Sequence, residues 1–192
     1  EQAQLYLGSS RIALHLGQIE KAQQDLAKAQ QLTKFEQNQT IICHSNLIKS
    51  QIEYYLSNFE QAREATEIGL KAARSLGDTK LESQLLLMLA QILTALGKTE
   101  ETLDILEANL TIARQQKVIS TENQILSLLG STYGLTGKFK QGFILVEQAL
   151  KMAHNNKDRF GELTALRRMG QLYLQTMQLD KALEAFDCGL EL

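Results

Sequence analysis

Apolar residues recur along this chain at spacings of three and four, which is the pattern of one face of an α-helix. One such segment carries Leu85, Leu89, Ile92, Leu93 and Leu96. Gly97-Lys98 then interrupts the pattern, as the end of a helix does, and a second segment follows with Leu103, Leu106, Leu110 and Ala113. No segment alternates apolar and polar residues as a half-buried strand would. The pattern therefore predicts pairs of α-helices joined by short polar turns.

This two-helix pattern repeats every forty residues without a gap. The turn inside each repeat holds Gly17, Ser57, Gly97, Gly137 and Met177. A column of small residues follows at Ala22, Ala62, Thr102, Gly142 and Ala182. A third column contains Ile12, Ile52, Ile92, Thr132 and Leu172. We predict a single domain, 1–192, with repeats at approximately 1–40, 41–80, 81–120, 121–160 and 161–192.

Capping residues predict where three helices start. Thr99 is expected to be an N-cap, and Thr79 with Glu82 and Thr121 with Gln124 are expected to form capping boxes.

The columns also predict packing and backbone geometry. The small residues are expected where two helices approach most closely, and Leu89 and Leu129 are expected to be buried between helices. Because Met177 stands where three repeats have glycine, a positive φ is not expected at that turn in every repeat.

Two stretches resemble the tetratricopeptide repeat. They are Leu129-Gly130-x-x-Tyr133 followed by Gly137, Phe139 and Ala149, and Met169-Gly170-x-x-Tyr173 followed by Ala182 and Phe186. The link at 73–78 resembles the forty-residue variety found in kinesin light chains, spindle-orientation adaptors and bacterial signalling proteins. The resemblance implies an all-α fold, a right-handed α-α superhelix of five helix pairs. It also implies that the first helices of the repeats line a concave groove that binds partners.

The first two repeats depart from the family pattern. Glu53 stands where the family has tyrosine, and either Tyr54 or Tyr55 is expected to fill that space. The proline that often closes the shorter form of the repeat is also missing. Its column holds Lys34, Arg74, Arg114 and His154. The second helices are therefore expected to be longer by a turn or more.

The groove implied by the resemblance gives the candidate binding residues. On a helical wheel, one face of each first helix carries mainly polar side chains. The candidates for a peptide or protein partner are Arg11, His44, Gln51, Gln84, Gln91, Gln124, Arg167, Arg168 and Gln171. A primary amide can both donate to and accept from an extended backbone, and an arginine can hold a carboxylate. The other interpretation is that these glutamines are ordinary exposed residues of a glutamine-rich chain.

Apolar residues beside this face have two interpretations. Leu7, Leu47 and Leu87 could form pockets for a ligand, although Leu87 and Met88 are expected to pack against neighbouring helices.

Composition and charge narrow the function. The net charge of −2, from 20 basic and 22 acidic residues, gives no field that would favour nucleic acid. The longest apolar run, Leu85 to Ala90, is too short to span a bilayer. Cys43 and Cys188 are expected to be free thiols, because an elongated array keeps them apart. Free thiols favour a cytoplasmic location.

Catalytic and cofactor signatures are weak. The glycines at 130–137 lack the spacing of a phosphate-binding loop. His15, His44 and His154 lie in three different repeats, and Cys43 and His44 diverge on a helix. We expect no enzyme activity, no cofactor and no metal site.

Two functions remain. The first is a protein–protein interaction module that binds an extended peptide along the groove. The alternative is a sensory or regulatory input domain that controls an output domain elsewhere in a longer protein. A longer protein is expected, because the chain begins without methionine and ends within a predicted helix. Self-association through the open ends of the array is a further expectation.

Overall fold

The structure, a computed structural model, describes residues 1–33 and 38–192. These residues form ten α-helices and no strand. The helices are α1 (Gln2–His15), α2 (Ile19–Leu32), α3 (Gln39–Tyr55), α4 (Phe59–Leu76), α5 (Thr79–Ala95), α6 (Thr99–Gln116), α7 (Ile119–Leu135), α8 (Phe139–Asn155), α9 (Arg159–Gln175) and α10 (Leu179–Leu190). Odd-numbered helices are the first helices of the predicted repeats, and even-numbered helices are the second helices. The predicted all-α fold is confirmed.

The chain forms two compact units, residues 1–96 with α1 to α5 and residues 97–192 with α6 to α10. In the first unit α1 packs on α2, α3 packs on α4, and α3 also contacts α1 and α5. In the second unit α7 packs on α8, α9 packs on α10, and α7 also contacts α9. Within each unit, successive first helices therefore lie side by side in one layer.

The small-residue column lies where helices meet, as predicted. Ala22, Ala62, Thr102 and Ala182 are buried. In the fourth repeat two glycines meet, because a Cβ on Gly130 would lie 2.7 Å from the carbonyl oxygen of Gly142. The backbones of α7 and α8 are thus nearly in contact, and a larger residue at either position would push the helices apart.

The core agrees with the predicted apolar pattern in part, since Leu85, Ile92, Leu93, Leu106 and Ala113 are buried but Leu96, Leu103 and Leu110 are half-buried. Leu129 is buried with 3% of its surface exposed, but Leu89 is only half-buried, so that prediction is wrong. In α5 the four consecutive residues from Leu85 to Met88 are buried instead, because this helix packs against both α3 and α4. Ile12 is 62% exposed, although Ile52 at the same repeat position is buried against α1 and α2.

Tyr54 fills the space left by Glu53 in the second repeat. The Tyr54 ring packs edge-on against Phe59 with 5.6 Å between ring centroids, whereas Tyr55 is exposed. The Glu53 carboxylate accepts a hydrogen bond from the Asn58 amide at 2.9 Å. Of the two predicted alternatives, the structure therefore selects Tyr54.

Every described turn between helices contains a residue in the left-handed region. The turn column has φ of 72°, 62°, 73°, 76° and 58° at Gly17, Ser57, Gly97, Gly137 and Met177. The prediction that Met177 frees this position from a positive φ is wrong. The reason is the hydrogen-bond pattern: the Met177 amide donates to Leu174 and the Gln178 amide donates to Tyr173, and this pair of bonds needs a left-handed residue.

The turns between repeats share this geometry. Gly77, Lys117 and Lys157 have φ of 65°, 54° and 56°. A non-glycine residue in this region costs roughly 1 kcal/mol or more, so Ser57, Met177 and the two lysines hold local strain that the helix ends must offset.

Turn geometry, rather than capping side chains, sets where the helices start. Each helix that follows a left-handed residue begins two positions after it. The capping predictions are wrong for this reason. Thr99 and Thr79 are first residues of α6 and α5, and Thr121 lies buried inside α7.

Among the described residues, side-chain caps occur only at helices that begin a repeat. The carboxylate of Asp78 accepts from the Leu81 amide at 3.0 Å, and that of Asp158 accepts from the Gly161 amide at 2.9 Å. Asn38 also caps its helix. Within repeats, none of the described N-caps makes a side-chain cap bond; these are Gln18, Asn58, Lys98, Lys138 and Gln178.

The basic residues of the missing-proline column have a structural role. Arg74 pairs with Glu82 at 2.8 Å and Arg114 pairs with Glu122 at 2.9 Å. At the next junction, His154 Nδ1 lies 2.9 Å from Glu162. Helices α4, α6 and α8 continue through this column, as expected, and the pairs join each second helix to the next first helix. Lys34 lies outside the described residues.

Candidate peptide-binding face

One side of each first helix carries several solvent-accessible side chains near its two ends. On α5 this side carries Lys80, Gln84, Gln91 and Ala95, which fall within about 60° of one another at 100° per residue. These side chains are exposed or half-buried. We call this set of positions the open stripe. Its members are Gln4, Arg11 and His15 on α1; Thr40, His44, Gln51 and Tyr55 on α3; Lys80, Gln84, Gln91 and Ala95 on α5; Ser120, Gln124, Ser131 and Leu135 on α7; and Phe160, Thr164, Gln171 and Gln175 on α9.

The first unit brings together five of the predicted binding residues. Arg11 is exposed on α1, and His44, Gln51, Gln84 and Gln91 are half-buried on α3 and α5. Because α3 contacts both α1 and α5, these side chains lie on one layer of adjacent helices. In the part of the chain that the structure describes, the three glutamine amides have no hydrogen-bond partner.

Arg11 and His44 are close enough to influence each other electrostatically. The pKa of His44 is lowered from its ordinary value, first by burial and then by the positive charge of Arg11, while Asp78 acts in the opposite direction. At neutral pH the imidazole is therefore held in its neutral form. An anion bound beside Arg11 would favour protonation of His44.

Cys43, next to His44 in sequence, faces the protein interior. The thiol is fully buried, and burial, followed by the negative charge of Asp78, raises its pKa to about 11. The thiol therefore stays protonated and unreactive. Cys43 and Cys188 are both free, as predicted.

The second unit holds the other four predicted residues. Gln124 is half-buried on α7, and Arg167 is exposed on α9 just beside the open stripe. Arg168, also on α9, donates from Nη1 to the side-chain amide oxygen Oε1 of Gln171 at 3.3 Å. Gln171 is therefore already engaged, unlike the glutamines of the first unit.

Leu7 and Leu87 form no ligand pockets in this face. Both are buried in the core, and Met88 packs in a cluster with Ala62 and Ile92, with Leu47 against it. The expectation that Leu87 and Met88 pack against neighbouring helices is confirmed.

The sequence reasoning missed two exposed aromatic residues on the open stripe. Tyr55 on α3 and Phe160 on α9 are 65% and 67% exposed. The sequence could have placed them on this face, because residues four apart lie on the same side of a helix. Tyr55 lies four residues after Gln51, and Phe160 lies four residues before Thr164.

The described residues offer no metal-binding cluster and no membrane span. Within residues 1–33 and 38–192, no three His, Cys, Asp or Glu side chains are arranged to hold a metal ion. None of the helices in those ranges combines the length and the apolar character needed to cross a bilayer.

Two family models of the tetratricopeptide repeat match the sequence, one over residues 3–35 and one over residues 121–192. Together they cover more than half of the chain, and the repeat spacing and helix pairs agree with them. The chain belongs to the tetratricopeptide-repeat family. Repeats of this family serve in general as scaffolds for protein interactions. No curated protein sequence matches this chain significantly.

Solved structures share the fold at low sequence identity. A Rap protein complexed with competence and sporulation factor matches with a TM-score of 0.88 at 15% identity, over 99% of this chain and 53% of that one. A putative kinesin light chain from Podosopora anserina with TPR-like repeats matches with a TM-score of 0.72 at 15% identity, over 100% and 95%.

A signal transduction ATPase with a tetratricopeptide repeat sensor, from Pyrococcus horikoshii, also matches. Its TM-score is 0.75 at 18% identity, over 94% of this chain and 28% of that one. The chain thus spans about half the length of the Rap protein and less of the ATPase. At these identities the likeness establishes the fold alone.

Proposed function

We propose that this chain is a polypeptide-binding module in which the open stripe of the first unit holds an extended segment of a partner protein. The observation that carries the proposal is the set of accessible amides without partners on α3 and α5, at Gln51, Gln84 and Gln91. An extended peptide presents N–H and C=O groups in alternation, and each primary amide can pair with both.

Partial burial favours binding over an ordinary solvated surface. Gln51, Gln84 and Gln91 are half-buried between neighbouring helices rather than fully extended into solvent. Their side chains have therefore lost part of their rotamer freedom before a ligand arrives, which lowers the entropic cost of binding. The Rap protein, which shares this fold, was solved in complex with competence and sporulation factor, so a related repeat array has a bound partner.

A regulatory input domain is the second candidate. It is favoured by the shared fold with a tetratricopeptide repeat sensor of a signal transduction ATPase, of which the matched part is 28%. In that case peptide binding would change the activity of an output domain in the parent protein. Measuring that output with and without a bound peptide would separate a sensor from a constitutive scaffold.

The test of peptide binding begins with selection from a random peptide library displayed on phage. Selected peptides are then titrated calorimetrically against the chain and against the triple variant Gln51→Ala, Gln84→Ala, Gln91→Ala. We expect the triple variant to bind at least about ten-fold more weakly, since several hydrogen bonds are lost. Its stability should change by no more than about 0.5 kcal/mol per substitution, as these side chains are not in the core.

The matched control removes three exposed amides from second helices, with Gln24→Ala, Gln61→Ala and Gln141→Ala. This control should bind as the parent chain does. Equal binding by the parent and the open-stripe variant would contradict the proposal, and the partner would then use another face.

A further inference from the structure

The first and last helices of the described chain leave apolar side chains uncovered. On α1, Leu5 is 74% exposed, and Ile12 is exposed as well. We call these two residues the leading face. In the last repeat, Leu163 and Leu174 on α9 and Leu190 on α10 are exposed, and we call these three residues the trailing face. Each face lies within a single compact unit.

Both positions of the leading face are buried in every later repeat. The residues at the forty-residue spacing from Leu5 are Ser45, Leu85, Ile125 and Ala165, and those at the same spacing from Ile12 are Ile52, Ile92, Thr132 and Leu172. The trailing face shows the same contrast, because Leu163 is exposed while its counterparts in the earlier repeats are buried; they are Ala3, Cys43, Ser83 and Asn123. The exposed apolar residues thus occupy positions that repeat packing covers elsewhere in the chain.

One contact between successive repeats pairs a glycine with a leucine. A Cβ on Gly69 of α4 would lie 2.9 Å from the Cδ2 atom of Leu85 on α5, so the missing side chain makes room for the leucine. Gly189 on α10 holds the repeat position of Gly69, and Leu5 on α1 holds that of Leu85. Gly189 also lies beside the trailing face, since a Cβ there would be 3.4 Å from Cδ1 of Leu163. The two ends of the sequence therefore carry the two halves of this contact.

A second contact pairs apolar residues of successive first helices. In the first unit, Leu14 on α1 and Ile52 on α3 are buried in one core cluster. Leu174 on α9 holds the repeat position of Leu14, and Ile12 on α1 holds that of Ile52. The residue types are identical, yet Leu174 and Ile12 are exposed. The trailing and leading faces therefore carry the two halves of this contact as well.

We propose that a second copy of this chain docks its leading face on the trailing face, so that copies join head to tail. The docking contact continues the packing between successive repeats from one molecule into the next. Because the two faces differ, the contact is heterologous, and each added copy presents a free face for another. This inference is independent of the proposed function, which uses the open stripe.

The docking contact is apolar rather than ionic. At two junctions between repeats, Arg74 pairs with Glu82 and Arg114 pairs with Glu122. In α1 the position of these glutamates is held by Gln2, which has no charge to pair. The stability of the docking contact therefore comes from burying leucine and isoleucine side chains. Association should not weaken as salt is raised, because screening acts on charges and not on apolar contacts.

Sedimentation equilibrium of the 192-residue chain tests this inference, at about 10–500 µM to suit a small interface. We expect the weight-average mass to rise continuously with concentration and to exceed the mass of a dimer, because a head-to-tail contact does not stop at two copies. The rise should be at least as steep at about 0.5 M salt as at about 0.05 M.

Two variants place charges on one face each. Leu5→Glu with Ile12→Glu alters the leading face, and Leu174→Glu with Leu190→Glu alters the trailing face. Each variant alone should remain a monomer, since docking would bury unpaired carboxylates. An equimolar mixture of the two variants should form a dimer and nothing larger, because the mixture retains one native leading face and one native trailing face per pair.

The matched control, Ile68→Glu with Ile144→Glu, changes two exposed apolar residues on the second helices α4 and α8. This control should associate as the parent chain does. Circular dichroism should show the same helical content for all three variants, because every substituted side chain is exposed.

The outcomes are distinct. A monomer mass at every concentration would overturn the inference, and so would a control that loses association as the face variants do. A mass that levels off at a dimer, with no association in the mixture of face variants, would show an isologous contact and would also overturn it. The triple variant Gln51→Ala, Gln84→Ala, Gln91→Ala should associate like the parent chain, so a failure of peptide binding is distinguishable from a failure of docking.

Discussion

The two units place different chemistry on the same backbone. In the first unit the open stripe carries amides without partners beside the Arg11–His44 pair, whereas in the second unit Gln171 is held by Arg168. The second unit also exposes Leu135 and Phe160 on the stripe. Yet both units have the same turn geometry, and both have small or short side chains where the helices meet. The positions that build the repeat are therefore separate from the positions that vary, and recognition can change without cost to the fold.

The largest effect is expected from a substitution in the core of the second unit, which tests whether core positions and surface positions are separate. Leu129→Ala should lower the free energy of unfolding by about 2–5 kcal/mol, through lost transfer energy and the cavity left behind. Because repeats contact mainly their neighbours, amide hydrogen exchange should accelerate most in α7, α8 and α9. Leu89→Ala, at a half-buried position of α5, should cost clearly less. An equal cost, or uniform loss of protection from end to end, would contradict the separation of core and surface positions.

A substitution in a turn should give a smaller change in the free energy of unfolding, of the opposite sign. Met177→Gly should raise the stability of the second unit by about 0.5–1 kcal/mol, because glycine adopts the observed φ of 58° without strain. The Met177 side chain is exposed, so its removal sacrifices little packing. Chemical denaturation measures the change.

Two controls accompany the turn variant. Met177→Ala should bring no gain, since alanine keeps the strain, and Gly137→Ala should destabilise by about 1 kcal/mol. A neutral or destabilising Met177→Gly would show that the left-handed turn is not the source of strain.

The smallest expected effect is a pH dependence in the first unit. Because the folded-state pKa of His44 is lowered below its ordinary value of 6.5, the unfolded chain takes up a proton more readily than the folded one as the pH falls. Stability should therefore be lost as the pH drops through about 6.5. His44→Gln should lose less stability than the parent chain between about pH 8 and pH 5.5 in urea denaturation.

The pKa of His44 also tests whether Arg11 lies close to the imidazole. Arg11→Gln should raise the pKa of His44, as measured by NMR titration of the imidazole, because a like charge is removed. An unchanged value would place Arg11 too far away to share a ligand with His44.

Much of the fold follows from the forty-residue spacing, but local geometry at single residues does not. Apolar spacing predicts the helix pairs, and the small column predicts that Gly142 lies where two helices approach closely. The backbone geometry at Met177 was predicted wrongly, because glycine is only the usual sign of a left-handed residue. The hydrogen bonds around the turn require the positive φ whatever the side chain is. Thr99 misled because a polar residue near a helix start is no evidence of a cap when the turn already fixes the boundary.

The sequence predicts the position of the candidate site on the helices better than it predicts the contacts of the side chains there. Helical phase locates the open stripe, since burial on a helix repeats with a known period. The Arg168–Gln171 bond depends on rotamers, which no spacing reveals.

The turns inside the repeats have a further consequence for how the chain can be changed. Since backbone geometry alone starts α4, α6, α8 and α10, the side chains at Asn58, Lys98, Lys138 and Gln178 carry no capping duty. These four positions occupy the same place in successive repeats of the sequence and could serve as attachment points. A fluorophore or cross-linker could be placed at each in turn to find which repeat a bound partner contacts.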